Sequence, residues 1–528
     1  MIAHNISLQM DRTAANASQL VCQLPNELLV PIFTLYGQDS FDPILGEYSW
    51  IKLLLVCKHW YDVACATPTL WQNIKVGESS NMKWITLCLI RSAAAEIEVL
   101  LCSDWARSDI HSALALNLHR TRGLSLERIS SYWSSRLPTL LRRGAASLET
   151  LTIKHDTKGL ASLDLIFDLK VTSERFPRLH TLYLARSQAP NDAALYSNLC
   201  KLTLNSCAYA GTFQNFITNI QSAPRLTYIS LHHFLSQFPL DQISPHIPST
   251  CPGPLLRLKN LVLLDDLMEP IYSFISHINF TTEQLSLKGD CDYEQADSVL
   301  ATILDLLPPT GSNSSFFPSL ERARTAELEV HDDFKLIVGE GDELTNTVEL
   351  EIYDGCFSVL ETPLSSGLSS LICMLRPSGD RLVRLTVCGA QDTVHPAIWT
   401  EVFQTLTALE EIKLDGWENS RAFWVGLEAA SRESETTVAG DRSVPTCPRL
   451  RSVVYGADSD IDEVTLEAMV ACLEYREMRG VVALEDLGIV YNGHDPETEF
   501  AALKEKYMPR LRELVKGNVS LELECEDD

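Results

Sequence analysis

Residues 176–184 read Phe-Pro-Arg-Leu-His-Thr-Leu-Tyr-Leu, and the spacing of their leucines returns along the chain. The pattern is an apolar residue, two variable residues, a second apolar residue, one variable residue and a third apolar residue. Because the last two apolar positions are two apart, they share one face of a strand. Pro177 ends a preceding helix and favours an extended entry into that strand. The stretch therefore predicts a strand that buries Leu182 and Leu184.

The same apolar pattern recurs at irregular intervals, and the start-to-start gaps among the first five copies are 31, 20, 27 and 32 residues. Helix-compatible stretches such as 193–199 and 212–220 lie between copies. One strand-plus-helix unit of this size cannot bury its apolar face alone, whereas stacked neighbours can. The repetition therefore predicts an α/β solenoid with parallel strands. The copies begin at Leu148, Leu179, Leu199, Leu226, Leu258, Leu382, Leu409 and Leu484.

The repeat resembles the leucine-rich repeat, whose signature continues with Asn or Cys three positions after the last apolar residue. Cys207 and Asn492 occupy that position in two copies, whereas Asp156, Ser187 and Phe234 occupy it in others. The resemblance implies a degenerate leucine-rich-repeat-like array of irregular repeat length. The alternative is an ordinary α/β domain with amphipathic strands, because a single copy of the short pattern has little specificity.

Two segments depart from the repeat. Residues 323–360 contain pieces that alternate apolar and polar residues, at 327–330, 334–338 and 348–353, which is typical of half-buried strands. Residues 431–446 are mostly polar and predict an extended loop.

The charge of the chain is strongly negative and unevenly distributed. Lysine and arginine number 43 against 70 aspartates and glutamates, so the net charge is −27. Residues 1–320 carry 24 bases and 28 acids, whereas residues 321–528 carry 19 bases and 42 acids. Such a surface repels phosphates and anionic lipid head groups, so we expect neither a nucleic acid nor a membrane as partner. The excess of acids in residues 321–528 indicates either polar outer helices that keep the protein soluble or a negative surface that binds a basic partner.

The sequence predicts a cytoplasmic and/or nuclear protein. No apolar run reaches the roughly 18 residues of a membrane-spanning helix. Residues 1–9 lack the basic-then-apolar pattern of a signal peptide. The 15 cysteines are scattered and include no C-x-x-C pair, which argues against a zinc ribbon or a thioredoxin-type site. We expect reduced thiols, most of them in the core.

A different pattern occupies residues 21–76, where short apolar stretches follow one another closely. Residues 24–33 read Leu-Pro-Asn-Glu-Leu-Leu-Val-Pro-Ile-Phe, with apolar residues at positions 24, 28 and 32 and others at 29 and 33. That spacing forms one wide apolar stripe on a short helix, and Pro25 suits its first position. Pro31 stands inside the helix and predicts a kink. Two further helical stretches are predicted at 51–60 and 61–66.

Three blocks of this region resemble an F-box, namely residues 24–33, residues 56–60 (Val-Cys-Lys-His-Trp) and residues 68–74 (Pro-Thr-Leu-Trp-Gln-Asn-Ile). With the repeats behind it, the chain looks like an F-box protein of a type common in large fungal families. Segment 36–50 is several residues longer than the usual pattern. The resemblance implies docking on the Skp-family adaptor of a cullin–RING ubiquitin ligase, and through it on a cullin. The residues assigned to this contact are Leu24, Pro25, Leu28, Leu29, Ile32, Phe33, Leu54, Val56, Cys57, Trp60, Leu70 and Trp71.

The size of this module indicates that its large apolar side chains are not all internal. About fifty residues cannot bury that many of them, and exposed apolar surface of this kind marks a protein-binding face. Leu28, Ile32 and Phe33 are expected to contact the adaptor, whereas Trp71 and Ile74 are expected to pack inside the chain.

The sequence thus predicts four parts: a flexible leader at 1–20, the F-box helical module at 21–76, the leucine-rich-repeat-like solenoid at 77–516 and an acidic tail at 517–528. The resemblance implies a non-catalytic substrate-recognition adaptor of a ubiquitin ligase, whose repeats bind an unknown target protein. The alternative is a non-catalytic repeat scaffold that acts in protein–protein interaction outside ubiquitin transfer.

Signatures of catalysis and metal binding are missing from the sequence. Neither H-E-x-x-H, G-x-S-x-G, a Walker loop nor G-x-G-x-x-G occurs. Residues 458–462 open like a calcium loop, but Glu463 stands where glycine is needed and Met469 stands where the bidentate glutamate belongs. The pair His232 and His233 is explained better by a polar strand end than by a metal. We therefore expect no catalytic residue, cofactor or metal.

Overall fold

A computed structural model gives the structure of the chain, which divides into two compact units, residues 1–226 (unit 1) and residues 227–528 (unit 2). Unit 1 begins with a short helical region and continues with strands and helices, and unit 2 is mixed α/β throughout. The residues that the structure describes are 24–38, 49–77, 82–102, 108–129, 131–142, 144–155, 168–239, 256–278, 280–290, 318–331, 333–341, 347–353, 363–376, 379–416, 420–433, 446–455, 462–491 and 498–523.

The N-terminal region of unit 1 is helical, as the apolar spacing predicts. Its first helix continues past Pro31, while the stretch before Val56 forms a 3-10 helix instead of an α-helix. Cys57 caps the next helix, because its backbone is extended and its Sγ accepts a hydrogen bond from the Trp60 N–H at 3.5 Å. The elements are α1 (Asn26–Gln38), a 3-10 helix (Ser49–Leu55), α2 (Lys58–Ala66) and a second 3-10 helix (Pro68–Trp71).

The strands of unit 1 run in parallel and follow one another in chain order. They are β1 (Asn73–Val76), β2 (Ile97–Leu101), β3 (Thr121–Ile129), β4 (Thr150–His155), β5 (Thr181–Ala185), β6 (Gln188–Ala189), β7 (Lys201–Asn205) and β8 (Ala208–Tyr209). Strands β1 to β5 and β7 form one sheet, and β6 pairs with β8 separately. Leu151 lies opposite Leu182, and Leu182 lies opposite Leu202, so equivalent leucines of successive copies form a row.

Helices lie between several of these strands in the chain. Thr212 begins the last of them by accepting a hydrogen bond from the Asn215 N–H at 3.2 Å. That helix buries Phe213, Phe216 and Ile220, which lie at helical spacing on one side. The helices are α3 (Met82–Arg91), α4 (Ser108–Asn117), α5 (Ser131–Leu141), α6 (Ala193–Tyr196) and α7 (Phe213–Gln221).

Unit 2 contains a mostly parallel sheet with one reversed strand. Its strands are β9 (Tyr228–His232), β10 (Leu256–Asp265), β11 (Phe280–Asp290), β12 (Thr325–Val330), β13 (Phe334–Gly339), β14 (Val348–Tyr353), β15 (Arg384–Gly389), β16 (Glu411–Asp415), β17 (Ser452–Tyr455), β18 (Asp486–Tyr491) and β19 (Asn518–Leu523). The spatial order is β9-β10-β11-β14-β13-β12-β15-β16-β17-β18-β19. Strand β13 runs antiparallel to both neighbours, while the other pairs are parallel. The strands predicted at 327–330, 334–338 and 348–353 are therefore confirmed.

The helices of unit 2 pack closely on the sheet and on one another. Glycine permits two of these approaches: a Cβ on Gly367 would lie 2.9 Å from the Phe334 ring, and one on Gly426 would lie 2.5 Å from the Trp399 Cβ. The helices are α8 (Met268–His277), α9 (Pro318–Glu321), α10 (Pro363–Leu375), α11 (Pro396–Thr405), α12 (Arg421–Glu433), α13 (Glu463–Met478) and α14 (Thr498–Leu514).

The apolar pattern of the repeat builds the cores of both units. In every predicted copy all three apolar positions are buried, with exposed fractions of 0–4%. At the position that follows the pattern, the Cys207 thiol is buried and donates a hydrogen bond to the Leu184 carbonyl at 3.3 Å. The predicted α/β class and parallel strands are therefore confirmed.

The C-terminal stretch differs from the prediction. The sequence predicts an acidic tail from residue 517, whereas Asn518–Leu523 is a strand that pairs in parallel with β18 and buries Leu521. The prediction considered only the acidic composition of this stretch. Its apolar residues at 519, 521 and 523 alternate with polar ones, as in a strand. Residues 1–20, residues 434–445 and residues 456–461 lie outside the described residues, so the predicted leader, most of the polar loop and most of the calcium-like segment are untested.

A bilayer-spanning helix is not found among the described residues, since none of their helices combines the necessary length with the necessary apolarity.

Candidate protein-interaction surface

Helix α1 has two adjacent apolar stripes, of which one is buried and the other is exposed. Leu29 and Phe33, four residues apart, are completely buried. Leu28 and Ile32, each one position earlier, are 53% and 45% exposed. Because residues four apart lie above one another on a helix, each pair forms a stripe of its own. One stripe therefore holds the module together, and its neighbour faces solvent.

The buried stripe packs on α2. The Phe33 ring meets the Trp60 ring edge-on, with 5.0 Å between their centroids, a geometry that aromatic pairs favour. The start of α2 also contacts the segment just before α1, since the His59 Nε2 lies 3.2 Å from the Leu24 carbonyl oxygen. The expectation that Phe33 contacts a partner is not met in this structure, because Trp60 and its neighbours leave none of its surface exposed.

Trp71 forms the second internal anchor of the module. Its ring is 1% exposed and packs edge-on against Trp50, with 5.1 Å between centroids, and lies 5.7 Å from the ring of Trp84. Its Nε1–H donates a hydrogen bond to the Ala64 carbonyl at 2.8 Å, which satisfies the buried polar atom. Trp71 and Ile74 are thus internal, as expected.

The predicted contact residues are therefore divided by the structure into three groups. Four are buried and serve the core of unit 1, four are half-buried, and four are exposed. The buried residues are Leu29, Phe33, Leu70 and Trp71; the half-buried residues are Leu24, Leu54, Cys57 and Trp60; the exposed residues are Pro25, Leu28, Ile32 and Val56.

Sequence reasoning missed further exposed apolar residues in the same region. Leu35 and Tyr36 follow Leu28 at seven and eight residues, so they continue the solvent-facing stripe of α1, and they are 66% and 45% exposed. Extending the helical spacing beyond residue 33 would have found them. We call the following set the exposed apolar face: Leu28, Ile32, Leu35, Tyr36, Leu55, Val56 and Tyr61.

Few charges accompany the exposed apolar face. In residues 24–38 and 49–66 the charged side chains are Glu27, Lys52, Lys58 and Asp62, which sum to zero net charge. A hydrogen bond with Cys65 raises the pKa of Tyr61, so its hydroxyl is neutral near pH 7. Apolar surface with little charge is what stable protein–protein contacts bury, which suits this region to binding a protein.

The described residues hold no group of three or more histidine, cysteine, aspartate or glutamate side chains placed to bind a metal ion. His233 instead contacts the carboxylate of Asp266, with 2.7 Å between Nδ1 and Oδ1. His232 lies 2.6 Å from the Ser230 hydroxyl, and burial lowers its pKa. Polar contacts at the strand ends account for both histidines.

Comparison with known protein families identifies this N-terminal region. Residues 21–76 match the family model described as F-box-like. Curated proteins give no match to the chain. The F-box-like domain supports an F-box protein and suggests a role in substrate recognition by a Skp–cullin–F-box ubiquitin ligase. Domains of this kind typically bind Skp-family adaptors, and through them a cullin.

Proposed function

We propose that this protein is a substrate-recognition subunit of a Skp–cullin–F-box ubiquitin ligase. The observation that carries the proposal is the exposed apolar face, which lies on a module that matches the F-box-like family. When a partner protein buries the apolar surface that a folded module exposes, the burial stabilises the complex. The partner we assign is a Skp-family adaptor, which brings a cullin with it.

Within this proposal the two stripes of α1 have different tasks. Leu28 and Ile32 contact the adaptor directly, and Val56 and Tyr61 are further contact candidates because they too are exposed. Phe33 acts indirectly, since its packing against Trp60 fixes the orientation of α1.

The α/β remainder of the chain is proposed to bind the target protein. Repeated rows of leucines, such as Leu151, Leu182 and Leu202, support a degenerate leucine-rich-repeat-like array. Such arrays present their strands and loops as extended binding surfaces. We place the protein in the cytoplasm and/or nucleus, supported by free thiols at all the cysteines that the structure describes.

The protein forms no covalent bond itself in this mechanism. It binds a target with its repeats and the ligase core with its F-box-like module, so the target is held near the ubiquitin-charged enzyme. Tethering raises the effective concentration of the target at that enzyme, in the millimolar range for short flexible links. The function is therefore geometric and non-catalytic.

Affinity capture of the tagged full-length protein, with the proteasome inhibited, tests the proposal by mass spectrometry. We expect a Skp-family adaptor, a cullin and at least one ubiquitin-modified target. A variant carrying Leu28→Gln and Ile32→Gln should lose the adaptor and the cullin but keep the target. Adaptor captured without a cullin would instead support a repeat scaffold that acts outside ubiquitin transfer.

A further inference from the structure

Strand β19 lies at the end of the unit 2 sheet and pairs on one side. Among the described strands its partner is β18, with Asp486 opposite Asn518 and Ile489 opposite Leu521. A strand at the edge of a sheet presents a row of unpaired backbone N–H and C=O groups, which makes it a template for another strand. The free side of β19 is therefore a candidate surface for strand pairing.

The parallel register identifies which residues of β19 face away from β18. The Asn518 N–H donates to the Glu485 carbonyl at 2.8 Å, so this residue directs its backbone groups towards β18. Val519 and Leu521, in the alternate positions, therefore direct theirs away. In agreement, the Leu521 carbonyl lies 3.4 Å from the Lys504 Nζ of α14. The N–H groups of Val519 and Leu521 have no hydrogen-bond partner among the described residues.

The edge of β19 has few of the features that prevent strand pairing. Natural edge strands are commonly protected by proline, by a bulge, by charged side chains or by a covering helix. Strand β19 contains no proline, and its register with β18 is continuous over all 6 residues. Helix α14 covers one carbonyl through the exposed Lys504, a contact that a backbone N–H can replace. The edge is thus open to a further strand.

The charges before and after β19 have opposite signs. Residues 504–516 carry five bases and two acids, whereas residues 522–528 carry five acids and no base. Two of those bases pair with acids of α13, while Arg512 and Lys516 are exposed and pair with none of the described acids. Two antiparallel copies bring the basic stretch of each beside the acidic stretch of the other, whereas parallel copies bring like charges together. This charge pattern favours a second copy in antiparallel orientation.

We propose that β19 pairs with β19 of a second copy of this chain, antiparallel and about a two-fold axis beside Leu521. In this register Leu521 lies opposite the partner's Leu521, and Val519 lies opposite the partner's Leu523. Each of these pairs exchanges two backbone hydrogen bonds, because their N–H and C=O groups face each other. A partner N–H replaces Lys504 at the Leu521 carbonyl. A two-fold contact is closed, so assembly ends at a dimer.

The dimer gives one assembly two F-box-like modules and two copies of the α/β remainder. Two linked binding sites hold a target that presents two binding motifs more tightly than one site does. This consequence uses the target binding of the proposed function, whereas the strand pairing does not depend on it.

Sedimentation equilibrium of the full-length protein over a range of concentrations tests the proposal. We expect the average mass to rise from that of one chain towards that of two. Val519→Pro removes a backbone N–H that faces the partner and leaves the hydrogen bonds to β18 intact. This variant should raise the dissociation constant of the dimer by about 10- to 100-fold, since each copy loses one hydrogen bond. The matched control Val519→Thr keeps the N–H and should dimerise like the unsubstituted protein.

A charge reversal tests the antiparallel orientation. Lys516→Glu places an acid beside the acidic stretch of the partner, so it should weaken the dimer by about tenfold. Lys201→Glu makes the same change of charge at an exposed position of β7 in unit 1, and it should leave the dimer unchanged. Denaturant unfolding verifies that each variant is folded. Hydrogen–deuterium exchange of residues 518–523 should be slower in the dimer than in the monomer.

The proposal is overturned if the protein stays monomeric at about 100 µM, where a dimer with a Kd of about 1 µM is largely formed. It is also overturned if Val519→Pro and Val519→Thr dimerise alike, or if exchange of residues 518–523 is the same in monomer and dimer. A dimer that Lys516→Glu leaves unchanged would contradict the antiparallel orientation.

The variant with Leu28→Gln and Ile32→Gln separates this proposal from the proposed function. It should dimerise like the unsubstituted protein, because β19 does not involve the exposed apolar face. Dimerisation that this variant abolishes would assign self-association to the exposed apolar face and overturn pairing through β19. Loss of adaptor binding with an intact dimer would leave the strand pairing supported.

Discussion

Replacing Leu28 and Ile32 together by glutamine tests whether the solvent-facing stripe of α1 binds the adaptor. Both side chains are about half exposed, while their neighbours Leu29 and Phe33 are fully buried. The substitution therefore changes the surface and leaves the packed interior intact. Glutamine has a helix propensity close to that of leucine, so α1 is not weakened as a helix.

The size of the effect follows from the surface that the partner would cover. Leu28 is 53% exposed and Ile32 is 45% exposed. Full burial of a leucine or isoleucine side chain contributes about 1.5–3 kcal/mol, so covering the exposed half of both contributes about 1.5–3 kcal/mol in total. Because 1.4 kcal/mol corresponds to a tenfold change, we expect adaptor affinity to fall by about 10- to 150-fold.

Titration calorimetry with a purified Skp-family adaptor measures this loss, and denaturant unfolding measures the stability of each variant. The matched control is Leu116→Gln, since Leu116 is 74% exposed but lies on α4, outside the residues that match the F-box-like family. The control should bind the adaptor like the unsubstituted protein. A double variant that stays folded and loses less than about twofold in affinity would show that this stripe is not the docking surface.

The remaining predictions concern the interior of the protein. Phe33→Ala should lower the free energy of unfolding by about 3–5 kcal/mol in denaturant titrations, and an unchanged midpoint would contradict its placement against Trp60. Asp265→Ala should lower the free energy of unfolding by about 1.5–3 kcal/mol in the same denaturant titrations, because the buried carboxylate accepts hydrogen bonds from three backbone N–H groups at 2.6–3.2 Å. Asp265→Asn should lower the free energy of unfolding by less. Burial raises the pKa of Cys447 and Cys472 to about 12, so mass spectrometry after iodoacetamide treatment at pH 8 should find exposed Cys373 labelled and these two unlabelled. Since these folded-state pKa values exceed the ordinary value of 9.0, stability present below pH 9 should fall as the pH rises towards 12.

The sequence was informative where one local rule decides the structure. Leu182 and Leu184 share a strand face through their two-residue spacing, and both are buried. The alternating pieces between 323 and 360 predicted strands for the same reason. Alternation reveals that a segment is a strand but not which strand it pairs with, so the order β11-β14-β13-β12-β15 could not be predicted.

The candidate surface was predicted less completely, because apolarity alone does not tell which stripe of a helix faces inward. Leu28 and Phe33 are both large and apolar, yet one is half exposed and the other is buried. The choice depends on where Trp60 lies, which is a tertiary contact.

The reversed strand β13 has a consequence for how unit 2 acquires its structure. Where each strand pairs with the next strand in the chain, folding can propagate from one repeat to its neighbour. This propagation is interrupted at β11, because β11 pairs with β14. Ser286 lies opposite Glu349, which is 63 residues later in the chain. Closing so long a loop costs conformational entropy before the contacts between β11 and β14 form. This cost slows folding. We therefore expect refolding of unit 2 to proceed from separate nuclei, with the pairing of β11 with β14 and of β12 with β15 as the slow events.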